Sequence, residues 1–237
     1  MITITNEDCR NVLKSIDDES IDLIVTDPPY KMTSRGGVGT TGGMLLNDVV
    51  NSGNVFENVI DVTEYASEFY RVLKDSSHLY VMCNNVNLIK FLNHFEEVGF
   101  HFIKSLIWDK MNKICGTFYM GQYEYILFFR KGAGKQINYC GTSDIIPIMN
   151  KKTTGLDGKP LHITEKPIEL MEILVRNSSN TGDTVLDPFV GIGSTAIACK
   201  HLDRNFIGCE IDKKYFDITK QRLSDTSFVD LTAKCLF

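Results

Sequence analysis

Asp27-Pro28-Pro29-Tyr30 sets a carboxylate, two rigid residues and an aromatic ring in succession. The apolar run Ile21 to Thr26 before it reads as a buried strand, so the tetrapeptide lies where that strand ends. Proline has a fixed φ and no N–H, and Pro29 biases Pro28 towards an extended conformation. The stretch therefore offers carbonyls and no proline N–H. That combination suits a planar exocyclic amino group. The Asp27 carboxylate and the Pro28 carbonyl can each accept one N–H, and the Tyr30 ring can stack on the heterocycle. Two acceptors out of the ring plane pull the nitrogen towards tetrahedral geometry and localise its lone pair, which is positioning combined with stabilisation of a developing positive charge. No strong base is needed before attack, because the proton leaves only after the nitrogen is alkylated. A plain Pro-Pro turn, with Asp27 as its turn residue, explains the tetrapeptide equally well on its own.

A second constellation lies far downstream, from Thr184 to Ala196. Val185 and Leu186 read as a short strand, Gly191 and Gly193 as a tight turn, and Ser194 to His201 as a helix. Glycines let the backbone approach a ligand, and a helix start favours a negative group such as a carboxylate. Asn205 to Glu210 reads as a strand ending in an acid, near the roughly 20-residue spacing expected of a carboxylate that binds ribose hydroxyls. A nicotinamide dinucleotide can also use Gly-x-Gly-x-x-Ala. Against it, Asp187-Pro188-Phe189 intervenes before the glycines, and too few residues follow Glu210 to complete such a domain.

Taken together, Asp27-Pro-Pro-Tyr30 and Asp187-Pro-Phe-Val-Gly-Ile-Gly193 resemble the DNA amino-methyltransferases that use S-adenosylmethionine to modify adenine N6 or cytosine N4. With the catalytic motif first and the glycines last, the order is that of the permuted beta class, and the resemblance runs from about Thr5 to about Leu223. It implies a Rossmann-like fold, S-adenosylmethionine as cofactor, and double-stranded DNA from which the target base is swung out. It makes Asp27, Pro28, Pro29 and Tyr30 the catalytic set. Asp8 would accept from the cofactor adenine and the Cys9 N–H would reach a ring nitrogen; Asp8 also reads as a helix N-cap. Asp187, Phe189, Gly191, Gly193, Ser194 and Thr195 would hold the cofactor, with Glu210 on its ribose and Lys166 beside it.

His162-Ile-Thr-Glu-Lys-Pro167 resembles a His-Pro-Thr-Gln-Lys-Pro element, with Ile163 and Glu165 departing from it. The same residues read as helix-start chemistry, Thr164 capping and Pro167 in the first turn. Tyr123 to Arg130 resembles a strand that walls the target-base pocket, where Phe128 and Phe129 also read as core. Within the resembled family an opening aspartate leans towards adenine N6 and a serine towards cytosine N4, so the resemblance implies adenine, although the physics of the grip serves either base. The resemblance allows a homodimer and a cognate restriction nuclease as partners. Two other classes stay open: a catalytically silent cofactor-binding subunit, and a protein amide methyltransferase, whose tetrapeptide begins with asparagine.

The chain has 237 residues, enough for a single catalytic domain with a full core. Its seven scattered cysteines form no Cys-x-x-Cys, which argues against zinc or disulfides and for a reducing cytoplasm. Histidines are few and unclustered, so no catalytic metal is expected. No apolar run approaches a membrane span, and a secretory pattern is absent from the N-terminus.

A net charge of −5 does not fit a general nucleic-acid binder, so distribution matters more than the sum. Residues 131–160 read as a loop-rich, basic insertion for target recognition, and Lys131, Lys151 and Lys152 are candidates for DNA phosphate. The glycine-rich stretch 31–56, with Arg35, reads as a mobile flap that orders over DNA or cofactor. A solvated lysine-rich loop is the plain reading of the first. With so small a reader, the recognition site should be short.

These groups need a scaffold. Strands are expected near 22–26, 78–83, 102–108, 124–129, 184–187 and 205–209, and helices near 7–16, 62–74, 86–98, 165–177, 194–202 and 213–223. Alternation of the two predicts a doubly wound, mostly parallel α/β sheet with ligands beyond the carboxyl ends of its strands.

Overall fold

Strand β2 (Ile21–Thr26) is buried at five of its six positions, as expected of an apolar run covered on both faces. It occupies the middle of the sheet. The computed structural model describes residues 1–30, 59–114, 119–155, 158–162 and 164–224. The expected flap and Arg35 lie outside those residues.

The remaining strands are β1 (Ile2–Thr5), β3 (Leu73–Cys83), β4 (His101–Ile114), β5 (Gly121–Arg130), β6 (Ile145–Pro147), β7 (Thr184–Asp187) and β8 (Asn205–Cys209). The helices are α1 (Cys9–Ser15), α2 (Ala66–Val72), α3 (Leu88–Glu97), α4 (Ile168–Ser178), α5 (Ser194–His201) and α6 (Lys213–Ser224), with a 3-10 turn at Val62–Glu64 before α2. One sheet carries all eight described strands in the order β1-β8-β7-β2-β3-β5-β4-β6. Only β5 runs against its neighbours; the other pairings are parallel. The doubly wound, mostly parallel α/β sheet is therefore present.

Helices α1, α2 and α3 cover one face through Leu13, Phe69 and Phe95. Helices α4 and α5 cover the other through Leu170, Leu174 and Ala198. Every expected strand and helix appears, the 62–74 helix being split into the 3-10 turn and α2; β3 starts five residues before its expected bound and β4 runs six beyond it, and the other bounds agree within three. Strands β1 and β6 were not anticipated. Both are short, and β1 pairs with β8 about 200 positions away, a partner no local pattern reveals.

The expected helix-start chemistry at 164–167 is corrected. Helix α4 begins at Ile168 with Pro167 at the N-cap and no capping side chain. The Thr164 N–H donates to His162 Nδ1 at 3.2 Å. Among the described residues no helix is long and apolar enough to cross a membrane.

Candidate active site

Strands β2 and β7 are hydrogen-bonded neighbours, with Leu23 beside Val185 and Ile24 beside Leu186. Being parallel, they deliver their carboxyl ends to one edge of the sheet. The two motifs, far apart in sequence, therefore meet. The Thr26 hydroxyl donates to Asp187 Oδ1 at 2.8 Å. A cavity of about 610 Å³ opens above this edge, lined by Asp27 and Pro29 from one motif and by Asp187, Phe189, Gly191 and Thr195 from the other. Asp8, Cys9, His162, Lys166, Ser194 and Glu210 complete its wall. The volume suits a small organic ligand.

The glycine loop is held from beneath. Gly191 and Gly193 have φ of +56° and +89°, values that favour glycine. A Cβ on Gly193 would also lie 2.7 Å from Thr219 Cγ2, so the loop can press close to α6. The Thr219 hydroxyl donates to the Gly191 carbonyl at 2.9 Å, and the Gly191 N–H donates to Glu210 Oε2 at 2.8 Å. Glu210 also accepts from the Asp212 N–H at 2.9 Å. Burial raises the Glu210 carboxyl, and those two N–H groups pull it back.

Asp187 works in the same way. Its carboxylate accepts from Thr26, from the Phe189 N–H at 3.1 Å and from the Thr195 hydroxyl at 2.7 Å. Burial pushes its carboxyl up to about 6 against these donors. Asp187 and Thr195 thus satisfy each other and shape the loop. At the opposite wall Asp8 caps α1 by accepting from the Arg10 N–H at 2.9 Å, so the cap reading is met. The Arg10 guanidinium, hydrogen-bonded to Asp8, holds that carboxyl below its usual range. The Cys9 thiol is driven up to about 12 by burial.

Around Asp27 the structure places the expected Lys166 and two charges that the sequence did not announce, Glu124 and Lys110. Lys166 Nζ pairs with Asp27 Oδ2, lies 3.2 Å from Glu124 Oε1, and donates to the Thr164 carbonyl at 3.4 Å. Glu124 pairs in turn with Lys110 Nζ at 2.9 Å, and the Tyr30 hydroxyl donates to it at 3.4 Å. Burial raises Asp27, with Lys166 pulling against it. Burial opposes the charges of Lys166 and Glu124 too, but their partners prevail: Lys166 is raised and Glu124 lowered. The only sequence signal for Glu124 was a charge within the aromatic and apolar run from Tyr123 to Phe129.

Several expectations are corrected in placement. Tyr30 is buried, with its ring edge-on to Phe91 at 5.9 Å, and neither it nor Pro28 lines the cavity. Phe128 stacks on Tyr80 at 4.6 Å and Phe129 packs on Phe95 and Phe102, so both are core residues. Lys131 is buried at the far edge of the sheet, because antiparallel β5 ends beside the start of β3. Its ammonium donates to the carbonyls of Leu73 at 2.7 Å and Tyr70 at 2.9 Å and to Glu19 at 3.1 Å, which is structural bonding and not a phosphate contact.

Strand β6, parallel to β4, carries the 131–160 segment across to the cavity edge. There Lys151 is exposed and Lys152 is half-buried, donating to the Glu165 carbonyl at 2.5 Å. Burial brings the Lys152 ammonium down to about 8. Glu165 pairs with Arg222 of α6 at 3.0 Å and accepts from Thr153, fastening this segment down.

A family model for N6/N4 enzymes, described as DNA methylase, matches residues 21–221. The chain belongs to the N6/N4 DNA methylase family. Membership makes it a DNA methyltransferase that draws its methyl group from S-adenosylmethionine. The type II methyltransferase M.HinfI of Haemophilus influenzae is 30% identical over 245 residues, spanning 94% of this methylase and 68% of that protein. M.HpaI of Haemophilus parainfluenzae is 31% identical, over 93% of this chain and 74% of that one. The crystal structure of M1.HpyAVI in complex with SAM superposes with a TM-score of 0.70 at 26% identity, over 94% of this chain and all of that one. PvuII DNA methyltransferase, described as cytosine-N4-specific, reaches a TM-score of 0.74 at 18% identity and so speaks to the fold alone.

The methylase's residues fit this cofactor. Carboxylates stand at two walls of one cavity, Asp8 and Glu210, and between them a positive-φ glycine loop runs into the start of α5. Acceptors for an adenine amino group and ribose hydroxyls, and a helix start for a carboxylate, are what such a nucleoside with an amino-acid tail requires.

Proposed function

We propose that this methylase is site-specific for double-stranded DNA and modifies the exocyclic N6 of adenine. The observation that carries the reading is the shared cavity, in which Asp27 opens onto the same space as the glycine loop. S-adenosylmethionine, when bound, supplies an electrophilic methyl on a sulfonium. Asp8, the Cys9 N–H, Gly191, Ser194 and Glu210 are the residues assigned to hold it, with Lys166 in the adjoining wall.

The rest follows from the chain's own groups. A base inside a duplex is out of reach, so it must leave the stack to meet Asp27. The Asp27 carboxylate accepts one amino N–H at the cavity wall, and the Pro28 carbonyl, set behind that wall, is assigned as the second acceptor that aligns the nitrogen once the base has entered. Positioning of this kind replaces acid–base activation before attack. After transfer, the excess proton passes to Asp27 or to water. Pro29 keeps the grip rigid, and Tyr30 braces it from behind through Phe91 and Glu124.

One catalytic domain carries this chemistry, with target recognition assigned to the end of the 131–160 segment near Lys151 and Lys152 and to the stretch 31–56 with Arg35. Cytosine N4 is the second reading, since the same two acceptors serve its amino group; the opening aspartate favours adenine.

The test is expression in a methylation-free host, with modified bases read by long-read sequencing and by nucleoside mass spectrometry. N6-methyladenine in one short context is expected. N4-methylcytosine would replace the substrate assignment. Methyl label in protein but not in DNA, or no transfer by the purified chain alone, would end it.

A further inference from the structure

We propose that Glu124 and Lys110 are positioning residues for methyl transfer, setting how tightly Lys166 holds Asp27. This rests on Asp27 being the group that grips the amino nitrogen. Four charges alternate along one line: Asp27, Lys166, Glu124 and Lys110. Asp27 follows β2 and Lys166 precedes α4, whereas Glu124 and Lys110 come from the antiparallel pair β5 and β4. The inner pair is shielded, with side-chain exposures of 7% for Lys166 and 11% for Glu124. Away from water a change at one end of the line is felt at the other.

Lys166 has three N–H groups and three acceptors: Asp27, Glu124 and the Thr164 carbonyl. It has no donor left for a substrate, so its effect is exerted on Asp27. An arriving amino group must compete with Lys166 for that carboxylate. The other titratable groups around this line are Asp187 from β7, the Tyr30 and Tyr65 hydroxyls, the Cys83 thiol of β3, the His162 imidazole beside Lys166, and Lys152. None of them bridges Lys166 to Lys110 as Glu124 does.

Two substitutions should act in opposite directions. Glu124→Gln leaves Lys166 to Asp27 alone, which tightens that pair and makes Asp27 more acidic and less available. Lys110→Gln leaves Glu124 free to draw Lys166 outward, which makes Asp27 less acidic. Removing either charge also shifts Asp27 directly through space, so the opposed shifts test the charge line, and the loss of kcat in Glu124→Gln with its rescue in Glu124→Asp separates positioning from a merely structural role.

The experiment follows kcat against pH in both variants, alongside cofactor affinity by calorimetry. In Glu124→Gln the acid limb, below which Asp27 is protonated, should move down, with neutral-pH kcat about 10-fold lower. In Lys110→Gln the limb should move up. Cofactor Kd should stay within about threefold of the parent in each. Glu124→Asp, which keeps the charge, should restore most of the parental kcat.

Unmoved limbs, or limbs moving the same way, overturn the proposal. Should Glu124→Gln fail to fold, the limb of Lys110→Gln decides alone. Asp27→Asn separates the two layers: near-parental turnover in that variant sinks the catalytic reading, while unmoved limbs beside an inactive Asp27→Asn sink only the positioning role.

Discussion

The Thr26 hydroxyl bonds the Asp187 carboxylate across 161 positions of sequence. It ties the last residue of the strand before Asp27 to the last residue of the strand before the glycine loop. Thr26→Val keeps the shape and removes the donor from a buried acceptor. Stability should fall by about 1–2 kcal/mol, and cofactor affinity should weaken with it. Urea unfolding and calorimetric titration would check both; a variant matching the parent in each would make the bond incidental.

Gly208 lies on β8 beside Asp187 of β7. A Cβ there would sit 2.5 Å from Val190 Cγ2 and 2.6 Å from the Asp187 carbonyl oxygen, and the backbone atom cannot swing aside. Gly208→Ala should push the two strands apart beneath the glycine loop. Overpacking of this kind costs about 1–3 kcal/mol. The expected result is a folded protein whose cofactor Kd rises about 10-fold. An unshifted Kd would mean the loop tolerates the displacement.

Burial holds the Asp187 carboxyl at about 6, above its ordinary value of 3.8. The folded state therefore binds this proton more tightly than the unfolded chain does. The sign follows: Asp187 costs stability above about pH 6, and the cost is relieved as pH falls towards 4. Its full size is on the order of 3 kcal/mol. Asp187→Asn removes the titration, so the variant should gain relative to the parent between pH 4.5 and pH 7. Equal parent-to-variant differences at the two pH values, measured by denaturant unfolding, would contradict this.

The lysines divide by edge. Lys131→Met removes a buried ammonium from two carbonyls and should cost about 1–3 kcal/mol of stability while leaving the salt dependence of DNA binding unchanged. Lys151→Ala should leave stability alone and flatten the slope of log affinity against log salt by about one. Exchange of these two phenotypes would reverse the assignment of the edges.

Much of the scaffold was legible because β2, β7 and β8 are apolar runs and α3 repeats its apolar residues at helical spacing. The glycine loop and the tetrapeptide were each ambiguous alone and became legible only as a pair, through the resemblance they carry together. What escaped depends on long-range geometry. Edge strands β1 and β6 carry too few residues for a pattern. Lys131 was misplaced because a count of charges does not say that β5 runs antiparallel and ends away from the cavity. The burial of the Tyr30 ring against Phe91 could not be read from the sequence. Glu124 and Lys110 sit in strands whose partners cannot be read locally, so their pairing with each other, and that of Glu124 with Lys166, was invisible.

The order in which the ribosome supplies the strands has a consequence. One flank of β2 is taken by β3, made soon after it, but the other flank waits for β7, made only after some 160 further residues. Until then a buried-type strand emerges with an open edge, so the nascent chain must remain protected from self-association until β7 is made. Assembly of the catalytic cleft is therefore a late event, committed only when the glycine-bearing half has left the exit tunnel.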